Sequence, residues 1–305
     1  MSQIVSSQSD VQKVLQFYNE GVITTASNFG KSIPDSTTFT AVGKGTTFSY
    51  QDEITAEETR NVGSVTRADY VLTGKQGTLS ITCQVTNDDD TFVKYLFNAL
   101  DGTTATADSS LCFLYSYNVD GTETFRTLRG CLPQSATITV NNRGFTELTA
   151  TFTVFSPDNE TQTANAGMGG TPVYANISSN TAWTHSDSGN FTWDSVVYKE
   201  KGFSVSVNYE HTILDSSGST TVQWAKISKK DISGSVSVFK KDLLLQADAT
   251  AHNKVTASKV LKASQLTATL TEAVFDSHSY SVDGNSSDAT LEEMPFTCKE
   301  VALAS

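Results

Sequence analysis

The sequence predicts a mainly β protein, and three observations carry the prediction. First, side chains between Gln134 and Val154 alternate strictly. Ala136, Ile138, Val140, Leu148, Ala150, Phe152 and Val154 share one side, and Thr137, Thr139, Glu147, Thr149, Thr151 and Thr153 share the other. A period of two marks strands with one buried face. Second, Ser and Thr number 80 of the 305 residues, with only five prolines; Thr is β-branched and favours extended backbone. Third, helical spacing is confined to three short stretches, 9–22, about 90–101 and about 240–250.

Taken in order, residues 9–22 (SDVQKVLQFYNEGV) place Val11, Val14, Leu15 and Tyr18 at helical spacing, with Ser9 or Asp10 to cap and Gly21 to stop. Together with the Thr/Ser-rich stretch that follows, they are expected to form an N-terminal helix and arm, 1–38, that orders against a neighbouring subunit. From Phe39 the chain turns to strands: FTAVGKGTTFSY, ADYVLTG and GTLSITCQV. The acidic run at 87–90 caps a helix whose stripe is Phe92, Tyr95, Leu96 and Ala99. It lacks the alternating ligands, Gly and distal Glu of a calcium loop. A hairpin turning at Asp120-Gly121 follows, then the opening hairpin, whose turn is Asn141-Asn142-Arg143-Gly144. This closes a first β domain, 39–156. Residues 157–190, rich in Gly, Asn, Ser and Thr, are expected to be a linker or long loop.

The chain then repeats itself across 191–305. Strand GFSVSVNYE, then ISGSVSVF with a charged cap and helix, then VLKASQLTATLTEAVFD follow the order of the first block, and MPFTCKEVAL returns at the end. Thr267, Thr269 and Thr271 form another threonine face against Leu266, Ala268 and Leu270. An ordered match of this kind implies a tandem duplication.

The chain offers little to catalysis. The four histidines form no zinc motif, and no nucleophile elbow occurs. The four cysteines form no C-x-x-C pair and fit a reduced core. No cofactor or metal is expected. The lysines 226, 229, 230, 240 and 241 form a local basic group suited to a solvated face or an acidic neighbour. A net charge of −12 argues against stable nucleic-acid binding. The N-terminus lacks the pattern of a secretory signal, and no apolar run reaches the roughly 20 residues of a membrane span.

The block order — strand, GTLSITCQV, acid-capped TFVKYLFNALDG, then the hairpin SATITVNNRGFTELTATFTVF — resembles the tail tube proteins of long-tailed viruses of bacteria or archaea. The resemblance covers 39–156 well and 191–305 more loosely. It implies β-sandwich domains, each flanked by a short helix, whose strands join an inner β-barrel in an assembled ring. It also implies the two-domain variant: three chains in a ring of pseudo-sixfold symmetry, stacked into a tube in the virion tail. The partners expected are other copies, other tail proteins and viral DNA in transient passage. A channel wall is then expected to include Thr137, Thr139, Glu147, Thr149, Thr151, Thr153, Thr267, Thr269 and Thr271. A tail-tip or hub protein of the same fold, and a β-rich surface or fibre adhesin, are the alternatives.

Overall fold

The computed structural model describes residues 14–22, 29–30, 39–59, 69–87, 90–98, 109–119, 122–158, 181–214, 222, 224–262, 265–281 and 290–304. In chain order the strands are β1 (Val14–Val22), β2 (Thr40–Ala41), β3 (Lys44–Thr59) and β4 (Asp69–Gln84). Helix α1 (Asp90–Asn98) precedes β5 (Ser109–Val119), β6 (Thr122–Val140) and β7 (Thr146–Pro157). After a short 3₁₀ turn come β8 (Phe191–Trp193), β9 (Val196–Tyr198), β10 (Glu200–Leu214) and β11 (Trp224–Phe239). Helix α2 (Leu244–Ala251) leads to β12 (Val255–Lys262), β13 (Leu266–Phe275), β14 (Ser279–Ser281), β15 (Leu291–Cys298) and β16 (Glu300–Ala304). Mainly β architecture is therefore as the alternation predicts, and every ladder is antiparallel.

One run of the sheet reads β3-β4-β7-β6-β10-β11-β15, with β14 on the far side of β15. A second layer lies over its apolar face in two pieces, β2-β1-β5 with the first part of β6, and β9-β8-β12-β13-β16. Two strands cross between layers. β6 pairs with β5 through Cys131 and with β10 from Ser135, bending where Gly130 takes φ 61° and the register slips between Pro133 and Ser135. β13 pairs with β12 and β16, then with β15 through Val274 and Phe275. It switches at Glu272, whose φ of 49° reverses which side faces inward. The expected single return strand MPFTCKEVAL is likewise split at Lys299 into β15 and β16, one on each layer.

The core between the layers is continuous across both blocks. Phe17, Phe92, Phe113 and Phe152 pack at ring separations of 4.8–6.4 Å, and Phe191, Trp193, Phe203, Phe275 and Phe296 extend it. Helix α1 buries more than its predicted stripe, because Val93 and Phe97 are enclosed as fully as Phe92 and Leu96. The second block supplies the cover: Tyr209 and Lys230 donate to the Leu96 and Phe97 carbonyls at the helix end. Ala99 lies outside the described residues.

One expectation is corrected. Residues 14–22 form a strand, not a helix: β1 pairs with β5 from Val14↔Ser116 to Val22↔Ser109, so it docks on its own chain. Leu15 and Phe17 are buried together on the core side, a period-two pair that the helical pattern of 11, 14, 15 and 18 concealed; residues 9–13 lie outside the described set. Of the 157–190 segment, expected to be a linker or long loop, the described end packs on the first block. Trp183 is buried, donates its backbone N–H to the Val85 carbonyl and accepts from Thr146, both at 2.8 Å, and its indole donates to Asn87 at 2.7 Å. Residues 159–180, the Asp120-Gly121 turn and Asp89 fall outside the described residues.

β1 is held by one carboxylate. Glu20 accepts from the Gly30 and Gly130 backbone N–H groups, at 3.2 Å each, and from the Ser110 hydroxyl. Burial pushes its carboxyl from an ordinary 4.5 up to about 7, against those hydrogen bonds and the Arg129 charge. A folded-state pKa above the unfolded value means the native chain holds the proton more tightly. The associated stability is complete below about pH 4.5 and is lost as pH rises through about 7. Denaturation curves of the wild type should therefore weaken between these limits, by up to about 3 kcal/mol. Glu20→Gln should lose measurably less over the same window; an equal loss would show that Glu20 is not the group responsible.

Candidate functional site: a hydroxyl-lined sheet face

In antiparallel ladders residues opposite one another share a face, so register fixes what the outer side of the β3–β15 run displays. Thr47, Thr82 and Thr149 stand opposite in turn across β3, β4 and β7, and Thr149 stands opposite Thr137 on β6. Ser80 meets Thr151, Thr78 meets Thr153, and Thr139 meets Glu147. The β6–β10 ladder carries the rows into the second block: Thr137 faces Ser206, and Thr139 faces Ser204. On β11, Ser235 and Ser233 continue them, and β15 adds Thr297 and Glu293. Alternate residues of the same strands, Leu79, Ile81, Ala150, Phe152, Ile138, Val205, Val207, Val236 and Phe296 among them, are buried on the core side.

The hydroxyls satisfy each other. Thr137 and Ser206 hydroxyls lie 2.8 Å apart, Ser204 and Ser235 2.9 Å, and Thr78 donates to Glu53 at 3.0 Å. Glu147 and Asp231 are exposed on the face, where Lys229 pairs with Asp231 at 2.7 Å and with Glu210 at 3.0 Å. A groove of about 490 Å³ opens at the β14 end, lined by Thr139, Ser204, Ser235, Ser237, Ser279 and Glu293. Such a surface offers hydrogen bonds of water's own kind, no concentrated positive charge and no convergent acid–base pair.

Of the residues expected to act together, Thr137, Thr139, Glu147, Thr149, Thr151 and Thr153 share this face. Thr267, Thr269 and Thr271 do not join them: they lie on β13 in the other layer, opposite Ala304, Ala302 and Glu300 of β16. Their place in the sheet run is taken by Ser204, Ser206, Ser233 and Ser235. Their signal was present, since Phe203, Val205 and Val207 alternate with serines just as clearly. What the repeat comparison hid is that β15 and β14, not β13, follow β10–β11 in the sheet run.

Elsewhere the chemistry-bearing residues are dispersed. The lysine group is not one patch: Lys229 pairs with Glu210 and Asp231, Lys240 with Glu292, and Lys226 and Lys241 lie over the Trp224 and Tyr198 rings. His211 contacts the Pro133 carbonyl at 2.9 Å and packs against Phe155, and its ring is held below the usual histidine range by burial. The four cysteines are free, three of them fully buried, and burial raises the Cys298 thiol to about 12. Among the described residues no cluster of His, Cys, Asp and Glu could hold a metal, and no helix is long and apolar enough to cross a membrane.

An antiparallel sheet with one apolar face and one face rich in hydroxyls, and with no catalytic constellation among the described residues, fits a structural protein. The chain belongs to the phage tail tube protein family, whose family model matches residues 16–298, from β1 through the last residue of β15. It is accordingly a structural protein of the virion tail. No curated protein matches the chain.

The face assignment has a thermodynamic consequence in the unassembled chain. Ile138→Ala, on the core side of β6, should cost about 2–5 kcal/mol. Thr137→Ala, one residue away on the hydroxyl side, should cost no more than about 1 kcal/mol, because Ser206 can turn to water. Chemical denaturation of the two variants checks this, and similar losses would contradict the assignment.

Proposed function

We propose that the chain polymerises into a hollow tail tube, with the hydroxyl face as the channel wall through which the genome passes. The observation that carries this reading is the single sheet run that keeps one polar face across both blocks. Its strand order repeats: β3-β4-β7-β6 is followed by β10-β11-β15-β14, and a helix follows the second strand of each set. A glycine with no room for a Cβ sits on the second strand of each set, Gly77 beside Tyr50 and Gly234 beside Phe296. Residues 39–156 and 191–305 thus act as two related units, joined where the edge of β6 meets the edge of β10.

The same joint suggests how copies meet. Within the chain, the last strand of one set pairs with the first strand of the next. Among the described residues β3 and β14 each pair on one side only, leaving open edges that favour strand addition. Pairing β14 of one copy with β3 of the next repeats the internal joint, and a head-to-tail contact whose rotation closes gives a ring. Two units per chain make that ring a trimer with pseudo-sixfold symmetry, free of strand edges once closed. An acidic, hydroxyl wall repels phosphates and hydrates DNA without holding it.

Electron microscopy of the purified chain tests the assembly: long hollow tubes support it, whereas isolated rings would favour a tail-tip role and monomers would overturn it. Replacing Thr149 and Thr151 together by Lys should leave tubes intact and slow genome release, most at low salt, where screening is weakest. Release at the wild-type rate would contradict the lumen assignment.

A further inference from the structure

The second block contains a lysine where its strand pattern demands an apolar residue. On β12, Ala257, Lys259 and Leu261 all point into the core, and Lys259 is fully buried. It stands opposite Phe191 of β8 and Ala268 of β13, both fully buried. Its Nζ meets the Glu200 carboxylate at the start of β10 and donates to the Gly189 carbonyl. The Glu200 side chain is 4% exposed. Apart from this lysine, neither Glu200 oxygen has a hydrogen-bond partner, and the His185 Nε2 nearby is also buried without one.

An ion pair is a poor occupant of this site. A buried pair recovers its desolvation cost only when further hydrogen bonds satisfy the remaining lone pairs, and here the carboxylate has none. We propose that Lys259 and Glu200 condense into an intramolecular amide, a covalent cross-link between β12 and β10. The lone pair of the neutral Lys259 amine adds to Cδ of the protonated Glu200 carboxyl. A proton passes from nitrogen to one carboxyl oxygen, and the C–O bond breaks as the N–C bond forms. One water leaves, and neither oxidant nor co-reactant is required.

Three features of the site favour the reaction. The groups are held together by two strands, which replaces a bimolecular encounter by an intramolecular one. Burial raises the Glu200 carboxyl and lowers the Lys259 amine, each towards its reactive neutral form. The apolar walls keep out the water that would reverse the step, and the product amide retains one N–H for the Gly189 carbonyl.

Mass spectrometry of the denatured full-length protein tests this directly and does not depend on tube formation. The wild type is expected to be lighter than its sequence mass by one water, about 18 Da, with a branched tryptic species joining the Glu200 and Lys259 peptides. Lys259→Met should carry its full mass. Glu200→Gln can lose ammonia instead and should reach the same final mass as the wild type. A wild type at full sequence mass, both freshly purified and after prolonged incubation, would overturn the cross-link.

Discussion

The ladder between β6 and β10 is the contact on which the rest of the structure depends. Six register pairs, from Phe203↔Val140 to Asn208↔Ser135, turn two sequence blocks into one sheet. Because side chains alternate with a period of two, a slip of one residue there would send the serines of β10 into the core and expose Phe203, Val205 and Val207. Burial of those three beside Ala136, Ile138 and Val140 therefore fixes the register. Register in turn lines up hydroxyl rows from β3 to β15. The polar face is a consequence of core packing.

How much of this was legible in the sequence depends on how local the signal was. The β6–β7 hairpin, both short helices and the facing of Thr137 to Thr153 follow from alternation and capping within about 20 residues. Even there one detail differed: the turn places Arg143, not the neighbouring Asn or Gly, at positive φ, 58°. The strand at Val14–Val22 was misread because its apolar residues fit both periods, and only β5, almost a hundred residues later, decides between them. The sequence pattern places Thr267, Thr269 and Thr271 on the shared face because β13 looks like the opening hairpin. Yet the reversal at Glu272 and the layer change at Lys299 depend on pairings that no local window contains. Trp183 lay in a stretch of loop composition, and its burial is a property of Val85 and Thr146, not of its neighbours.

Charge is handled differently on the two sides of the sheet. On the hydroxyl side ionised groups are few, and Glu147 stays solvated. Inside, the second block encloses Glu200, Lys259 and Glu292, the last of these bridging Lys240 and His278 at 3.1 Å each. The first block has its buried carboxylate at Glu20, bound to backbone N–H groups instead of a lysine. The two blocks thus hold a similar strand order with different polar contacts.

The central claim is that the hydroxyl face is an enclosed wall. Single cysteines at Ser206, on that face, and at Thr269, on the other layer, test it in a Cys298→Ser background, where the remaining thiols are buried. Both positions are expected to react with a bulky maleimide polymer in the unassembled chain. In assembled tubes the account predicts that Thr269→Cys still reacts while Ser206→Cys is protected except at tube ends. Equal labelling of Ser206→Cys before and after assembly would contradict it.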